Sequence, residues 1–133
     1  GLIADGVHVH PAAMRIALAA KPEGIFLVTD AMAVAGTEVR SVRLNGREIT
    51  RAGGRLVLQD GTLAGADLDL TRAINLLVSE LGLPLERALA MATSIPARLA
   101  KLGQGAGTLA AGAPAHAIRL RQAAQGLALI ATL

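Results

Sequence analysis

The chain has 133 residues, a formal net charge of +3 and no cysteine; 53% of its residues are hydrophobic and 1% aromatic. That apolar fraction excludes disorder and supplies one modest core of Leu, Ile, Val and Ala, while the missing cysteines exclude disulfides and thiolate metal sites. The basic balance does not point to nucleic acid, because Arg40, Arg43, Arg47, Arg51 and Arg55 are spread through a strand-like region and no Trp or Tyr can stack on bases.

Gly1-Leu2-Ile3-Ala4-Asp5-Gly6 reads as a short strand running into a turn, an opening expected of a chain that begins inside a larger fold. Pro11 suits a first helical position, and Met14, Ala17 and Leu18 give the following helix an apolar face that ends at Lys21-Pro22-Glu23-Gly24. Ile25-Phe26-Leu27-Val28-Thr29 is the next strand, so strand, helix and strand form a βαβ unit with parallel pairing. Residues 39–44 and 47–51 alternate apolar with polar around Asn45-Gly46, the strongest short hairpin signal, and Arg55-Leu56-Val57-Leu58 adds a third antiparallel strand. The arginines from Arg40 to Arg55 read as a solvated hairpin surface.

Asp60-Gly61-Thr62-Leu63-Ala64-Gly65-Ala66 is a glycine-rich loop. Leu70, Ile74, Leu77, Val78 and Leu81 then fall at helical spacing within residues 68–81, with Gly82 as the stop. A helix opens at Pro84-Leu85-Glu86 with Leu85, Ala88, Leu89 and Ala92 inward, and a third short helix starts at Pro96 and ends near Leu102-Gly103. The tail from Gly107 carries short strand-like runs at residues 117–118 and 127–130. No apolar run approaches the roughly 18 residues of a membrane span, so no membrane partner and a cytoplasmic location are expected.

Asp30 is the first candidate site residue, because it ends the apolar run Phe26-Leu27-Val28-Thr29 with a carboxylate. Desolvating an ionised group costs several kcal/mol unless something pairs with it, and strand carboxyl ends are where α/β proteins hold ligands and catalytic groups. On residue chemistry alone, catalysis stands level with a helix N-cap or a salt bridge at the strand end. His8 and His10 lie two residues apart, so on extended chain both rings share a side. A two-histidine metal site lacks a third ligand nearby, and His8 has the alternative of capping the helix at Pro11. Gly61 and Gly65 allow close backbone approach of a ligand at Leu63, against the alternative of an ordinary turn.

Three segments carry a resemblance. Gly1-Leu2-Ile3-Ala4-Asp5-Gly6-Val7-His8-Val9-His10, Leu27-Val28-Thr29-Asp30-Ala31 and Asp60-Gly61-Thr62-Leu63-Ala64-Gly65, in this order and spacing, resemble the carboxyl-terminal third of the N-acetylglucosamine-6-phosphate deacetylase family, part of the amidohydrolase superfamily. Ala88-Leu89-Ala90-Met91-Ala92-Thr93, Pro96-Ala97 and Gly107-Thr108-Leu109-Ala110-Ala111-Gly112 are similar as well. The resemblance covers almost the whole chain.

It implies an α/β fold, the carboxyl-terminal part of a (β/α)8 TIM-like barrel over residues 1–106. A β-hairpin insertion occupies about residues 37–60, and the terminal strands of a small β-sandwich occupy residues 107–133. It implies that Asp30 acts as general base and then general acid on a metal-bound water, that His8 contacts the sugar, and that the Leu63 backbone contacts the substrate. The implied cofactor is a divalent metal, zinc or iron, with ligands upstream of Gly1 and none in this chain. The implied partners are a phosphorylated amino-sugar substrate and a second copy in a homodimer. One departure is His116, which stands where sandwich strands of the superfamily carry Asp.

The resulting expectation is a fragment of an enzyme that hydrolyses the N-acetyl group of N-acetylglucosamine 6-phosphate, inactive by itself. The alternatives are a dihydroorotase-like or deaminase-like amidohydrolase, from which the loop at residues 60–65 argues away, and a non-catalytic oligomerising module using exposed strand edges.

Overall fold

A computed structural model describes residues 1–113, 116–124 and 126–132. β1 (Leu2–Ile3) and β2 (Leu27–Val28) pair in parallel, Leu2 against Leu27 and Ile3 against Val28, and α1 (Pro11–Ala20) crosses between them. The crossover is needed because parallel neighbours cannot be joined by a tight turn. Pro11 takes the first turn, where its missing N–H costs nothing, and Met14 and Leu18 are the side chains α1 buries. The cap is His10, whose Nδ1 accepts the Ala12 N–H at 3.2 Å. Capping at Pro11 therefore falls to His10 and not to His8.

Three helices follow the glycine-rich loop: α2 (Leu70–Ser79), α3 (Leu85–Ala92) and α4 (Ser94–Leu99). α2 starts later than hydrophobic spacing suggests because Asp69 caps it, its carboxylate accepting the Arg72 N–H at 2.8 Å. It ends early because Gly82, at φ 70°, turns the chain so that the Leu83 N–H reaches the Leu77 carbonyl at 3.0 Å. Of the apolar positions at helical spacing, Leu70 is exposed, while Ile74 and Leu77 are buried together with Ala73. On α3 the deepest side chains are Ala88 and Met91. α4 begins at Ser94, two residues before the expected Pro96, because the Thr93 carbonyl already accepts the Ala97 N–H. Pro96 then lies inside the first turn, where no intrahelical acceptor exists for its missing N–H. The helix stops at Leu99, short of the expected Leu102.

These elements share one core. Leu2, Ala4, Met14, Leu18, Leu27, Ala66, Leu68, Ile74, Leu77, Leu83, Ala88 and Met91 are buried together. Arg87 ties α1 to α3, donating to the Leu18 and Pro22 carbonyls at 3.2 and 2.9 Å.

A second, smaller core lies under the antiparallel sheet β3 (Ser41–Leu44), β4 (Arg47–Ala52) and β5 (Arg55–Leu58), where Val34, Ile49 and Leu56 are buried. Ser41 pairs with Thr50 and Leu44 with Arg47 around Asn45-Gly46, both at positive φ as this turn requires. One arginine departs from the solvated face expected for it. Arg51 is partly buried, ion-paired to Asp67 (Nε to Oδ2 2.8 Å, Nη2 to Oδ1 2.9 Å), and donates to the Val34 and Thr37 carbonyls at 2.6 and 2.7 Å. Four oxygens converging on one guanidinium make it a staple, which alternation alone cannot reveal.

β6 (Ile118–Ala123) and β7 (Gly126–Thr132) form an antiparallel pair longer than the apolar runs at 117–118 and 127–130 suggest, because the intervening Arg119, Arg121 and Gln122 also enter the ladder. Asn75 of α2 anchors the pair, donating to the Leu127 carbonyl at 2.9 Å and accepting the Leu127 N–H at 2.7 Å. His116 is exposed just before β6; its neighbours Pro114 and Ala115 lie outside the described residues.

Candidate active site at the carboxyl ends of the parallel strands

Because β1 and β2 run in parallel, the chain leaves both at the same end of the sheet, and two of the three candidates follow directly. Asp30 comes two residues after β2. Its side chain is exposed and its φ of 51° is left-handed, a conformation Asp tolerates better than most residues. Asp30 neither opens a helix nor joins either ion pair of the described residues. Both structural alternatives for this carboxylate are therefore absent, and it stands at the strand end facing solvent.

The glycine-rich loop is spliced onto that strand end. The Asp30 carbonyl accepts the Ala66 N–H at 2.9 Å, the Ala66 carbonyl accepts the Met32 N–H at 3.2 Å, and Ala31 bridges Ala66 in parallel. Gly65 permits this approach: a Cβ there would lie 2.7 Å from Met32 Cγ and 3.3 Å from the Asp30 carbonyl oxygen, at a φ of 112° that side chains avoid.

Upstream in the loop, Asp60 makes an Asx turn, its carboxylate accepting the Thr62 N–H at 2.9 Å. The Thr62 amide and hydroxyl hold the Asp60 carboxyl below the usual carboxylate range. Leu63 then bridges Val57 of β5, with Leu58 N–H donating to the Thr62 carbonyl and Ala64 N–H to the Leu56 carbonyl. Those flanking bonds make Leu63 and Val57 a non-hydrogen-bonded pair, so the Leu63 N–H and carbonyl turn away from β5. That is the geometry a backbone contact to a ligand requires.

His8 lies five residues past β1, on a turn built by Asp5. Asp5 Oδ1 accepts the Val7 and His8 N–H groups, each at 2.9 Å, and Asp5 Oδ2 meets His8 Nδ1 at 2.5 Å. Desolvation pushes the Asp5 carboxyl up, but the His8 ring and the two amides outweigh it, and the carboxyl titrates below its ordinary range. Sequence reasoning missed Asp5. The available signal was an Asp placed two and three residues before the amides it caps.

The structure thus ties the segments of Asp30 and Leu63 together by direct hydrogen bonds, and sets His8 at the same end without a direct bond to either. The two-histidine metal site is not formed, since Asp5 holds the His8 ring while the His10 ring caps α1. Among the described residues no three or more of His, Cys, Asp and Glu gather as a metal could use. An open concavity of about 740 Å3 lies over the hairpin, lined by Ser41, Arg43, Arg47, Glu48 and Asp60 among others, and includes none of the three candidates. No helix of the described residues is long and apolar enough to cross a membrane.

A chain of Escherichia coli K12, provisionally named an N-acetylgalactosamine-6-phosphate deacetylase, is 38% identical over 119 residues, covering 90% of this chain and 71% of that one. The N-acetylglucosamine-6-phosphate deacetylase of Danio rerio is 37% identical over 90% of this chain, which spans 30% of that protein's length. Among solved structures, the N-acetylglucosamine-6-phosphate deacetylase of Pasteurella multocida superposes with a TM-score of 0.82 at 30% identity, over 87% of this chain and 31% of that one. The profile of the amidohydrolase family matches residues 1–128, which takes in both parallel strands, the spliced loop and all the helices. The chain belongs to the amidohydrolase family.

Proposed function

We propose that this chain is part of a deacetylase that hydrolyses the acetamido group of N-acetylglucosamine 6-phosphate, releasing acetate and the free amino-sugar phosphate. The observation that carries the reading is Asp30, an exposed carboxylate at a parallel strand end that joins no ion pair among the described residues and whose backbone is hydrogen-bonded to the Asp60 to Ala66 loop. The proposed architecture is the closing part of a (β/α)8 barrel over residues 1–106, with β3–β5 as an insertion and residues 107–133 as terminal sandwich strands.

In this reading Asp30 takes a proton from the attacking water as the water oxygen bonds to the acetyl carbonyl carbon. It returns that proton to the amine nitrogen as the carbon–nitrogen bond breaks. The acyl group leaves as acetate, and the carboxylate is regenerated. His8 hydrogen-bonds the sugar, and the Leu63 main chain orients it. Zinc or iron dependence follows from the family resemblance, yet the described residues do not gather a ligand set. The family resemblance assigns the metal-binding side chains to residues outside this chain, and the chemistry proposed for this chain is proton transfer and substrate orientation. A cytoplasmic location completes the proposal, since a charged sugar phosphate does not cross a bilayer unaided, and a homodimer is carried over from the family resemblance alone.

A second reading changes the sugar to N-acetylgalactosamine 6-phosphate, favoured by the 38% identity to the E. coli K12 chain. The two sugars differ in the configuration of one hydroxyl. The test offers the protein made from its complete gene each sugar phosphate and a dihydropyrimidine in turn, reading acetate release from the sugars and loss of the ring absorbance from the cyclic amide. Hydrolysis of either acetamido sugar supports the reading, and turnover of the cyclic amide alone overturns it.

A further inference from the structure

Asp5 does two jobs with two oxygens. Oδ1 accepts the Val7 and His8 N–H groups at 2.9 Å and closes the turn after β1, whereas Oδ2 is turned to His8 Nδ1 at 2.5 Å. Closing the turn needs only the first. The second is a contact between two partly buried side chains, with 11% of Asp5 and 19% of His8 exposed. An ionised carboxylate can only accept, so the proton in that contact belongs to the ring, and His8 Nδ1–H donates to Asp5. In a neutral imidazole this leaves Nε2 without a proton.

We infer that Asp5 is a positioning residue, which holds neutral His8 in its Nδ1–H form and so presents Nε2 as an acceptor for a hydroxyl of the sugar. The inference rests on the proposed contact between His8 and substrate and adds its direction: the sugar hydroxyl donates and the ring accepts. The logic is that of any histidine whose far nitrogen is set by a carboxylate behind it.

The substitution Asp5→Asn separates the two jobs. The asparagine carbonyl oxygen can still accept both amides and keep the turn, but its NH2 group replaces Oδ2 opposite Nδ1 and can only donate. Nδ1 must then be the acceptor, and the ring proton moves to Nε2. The substrate hydroxyl meets a donor where it had an acceptor.

The test uses protein made from the complete gene with 15N-labelled histidine, at a pH where the ring is neutral. In the unmodified protein the His8 nitrogens should show a protonated Nδ1 and a bare Nε2, and Asp5→Asn should exchange the two signatures. KM should rise by about 10-fold in Asp5→Asn, with Asp5→Glu recovering part of it, the lower end of what loss of an outer partner costs at metal-binding histidines. A bare Nδ1 in the unmodified protein overturns the inference without any variant having to fold. So does a wild-type KM in Asp5→Asn when His8→Ala is impaired. If His8→Ala itself leaves KM and kcat unchanged, the substrate contact of His8 is wrong, and the tautomer signatures still decide separately what Asp5 does to the ring.

Discussion

If Asp30 moves the proton, Asp30→Asn keeps the size and left-handed backbone but removes the basic oxygen; kcat should fall by about 100- to 10,000-fold while KM changes little, measured by acetate release. A change confined to KM would make Asp30 a binding residue instead. Asp5 adds a pH dependence to stability. Its folded carboxyl titrates below the unfolded value, so its contribution is complete above about pH 4 and is lost as pH falls through the folded pKa. Chemical denaturation between pH 6 and pH 2.5 should show a loss in that lower window that Asp5→Asn lacks. Asp30 was legible as a candidate because a carboxylate closing an apolar run needs a cap, a partner or a catalytic use, and residue chemistry alone did not choose among them. His8 was legible only through its resemblance, and Asp5 not at all, since a contact three residues away requires the turn to exist first.

At the scale of elements, helices and hairpin were readable because hydrophobic period and Asn45-Gly46 are local signals. What joins the elements was not. Arg51 on β4 holds the Val34 and Thr37 carbonyls and Asp67, linking the hairpin to the chain on both sides of the Asp60 to Ala66 loop. Arg51→Met leaves Asp67 partly buried and unpaired, and should cost about 3 kcal/mol, read as a lower denaturation midpoint. Loss of proton-transfer rate should accompany it if the hairpin steadies the segment after Asp30. Gly65→Ala forces a Cβ to 2.7 Å from Met32 at positive φ, and should loosen the splice between Asp30 and Ala66. Faster hydrogen exchange of the Ala66 amide than in the unmodified protein is the expected sign. Arg51 was misread as surface because its position in the alternating pattern says nothing about the carbonyls that another segment brings to it.

For the molecule as a whole, the carboxylate proposed to transfer the proton lies in a chain whose described residues gather no metal ligand set. The purified chain with added zinc is therefore expected to release no acetate, whereas protein from the complete gene should be active and lose activity to a chelator. Turnover by the 133-residue chain would overturn that division of labour. Composition, period and turn residues determined the α/β character, the parallel unit, the antiparallel hairpin and the suspicion that fell on Asp30, because those depend on neighbours within a few positions. Tertiary structure alone decided that Ala66 is bonded to the Asp30 strand end, that Leu63 turns its backbone away from β5, and that Arg51 is a staple. It also decided that His8 faces Asp5 instead of joining His10. Each of these rests on groups meeting across a distance in the chain or around a turn, and hydrogen-bond direction at such a meeting is set by the backbone path between them.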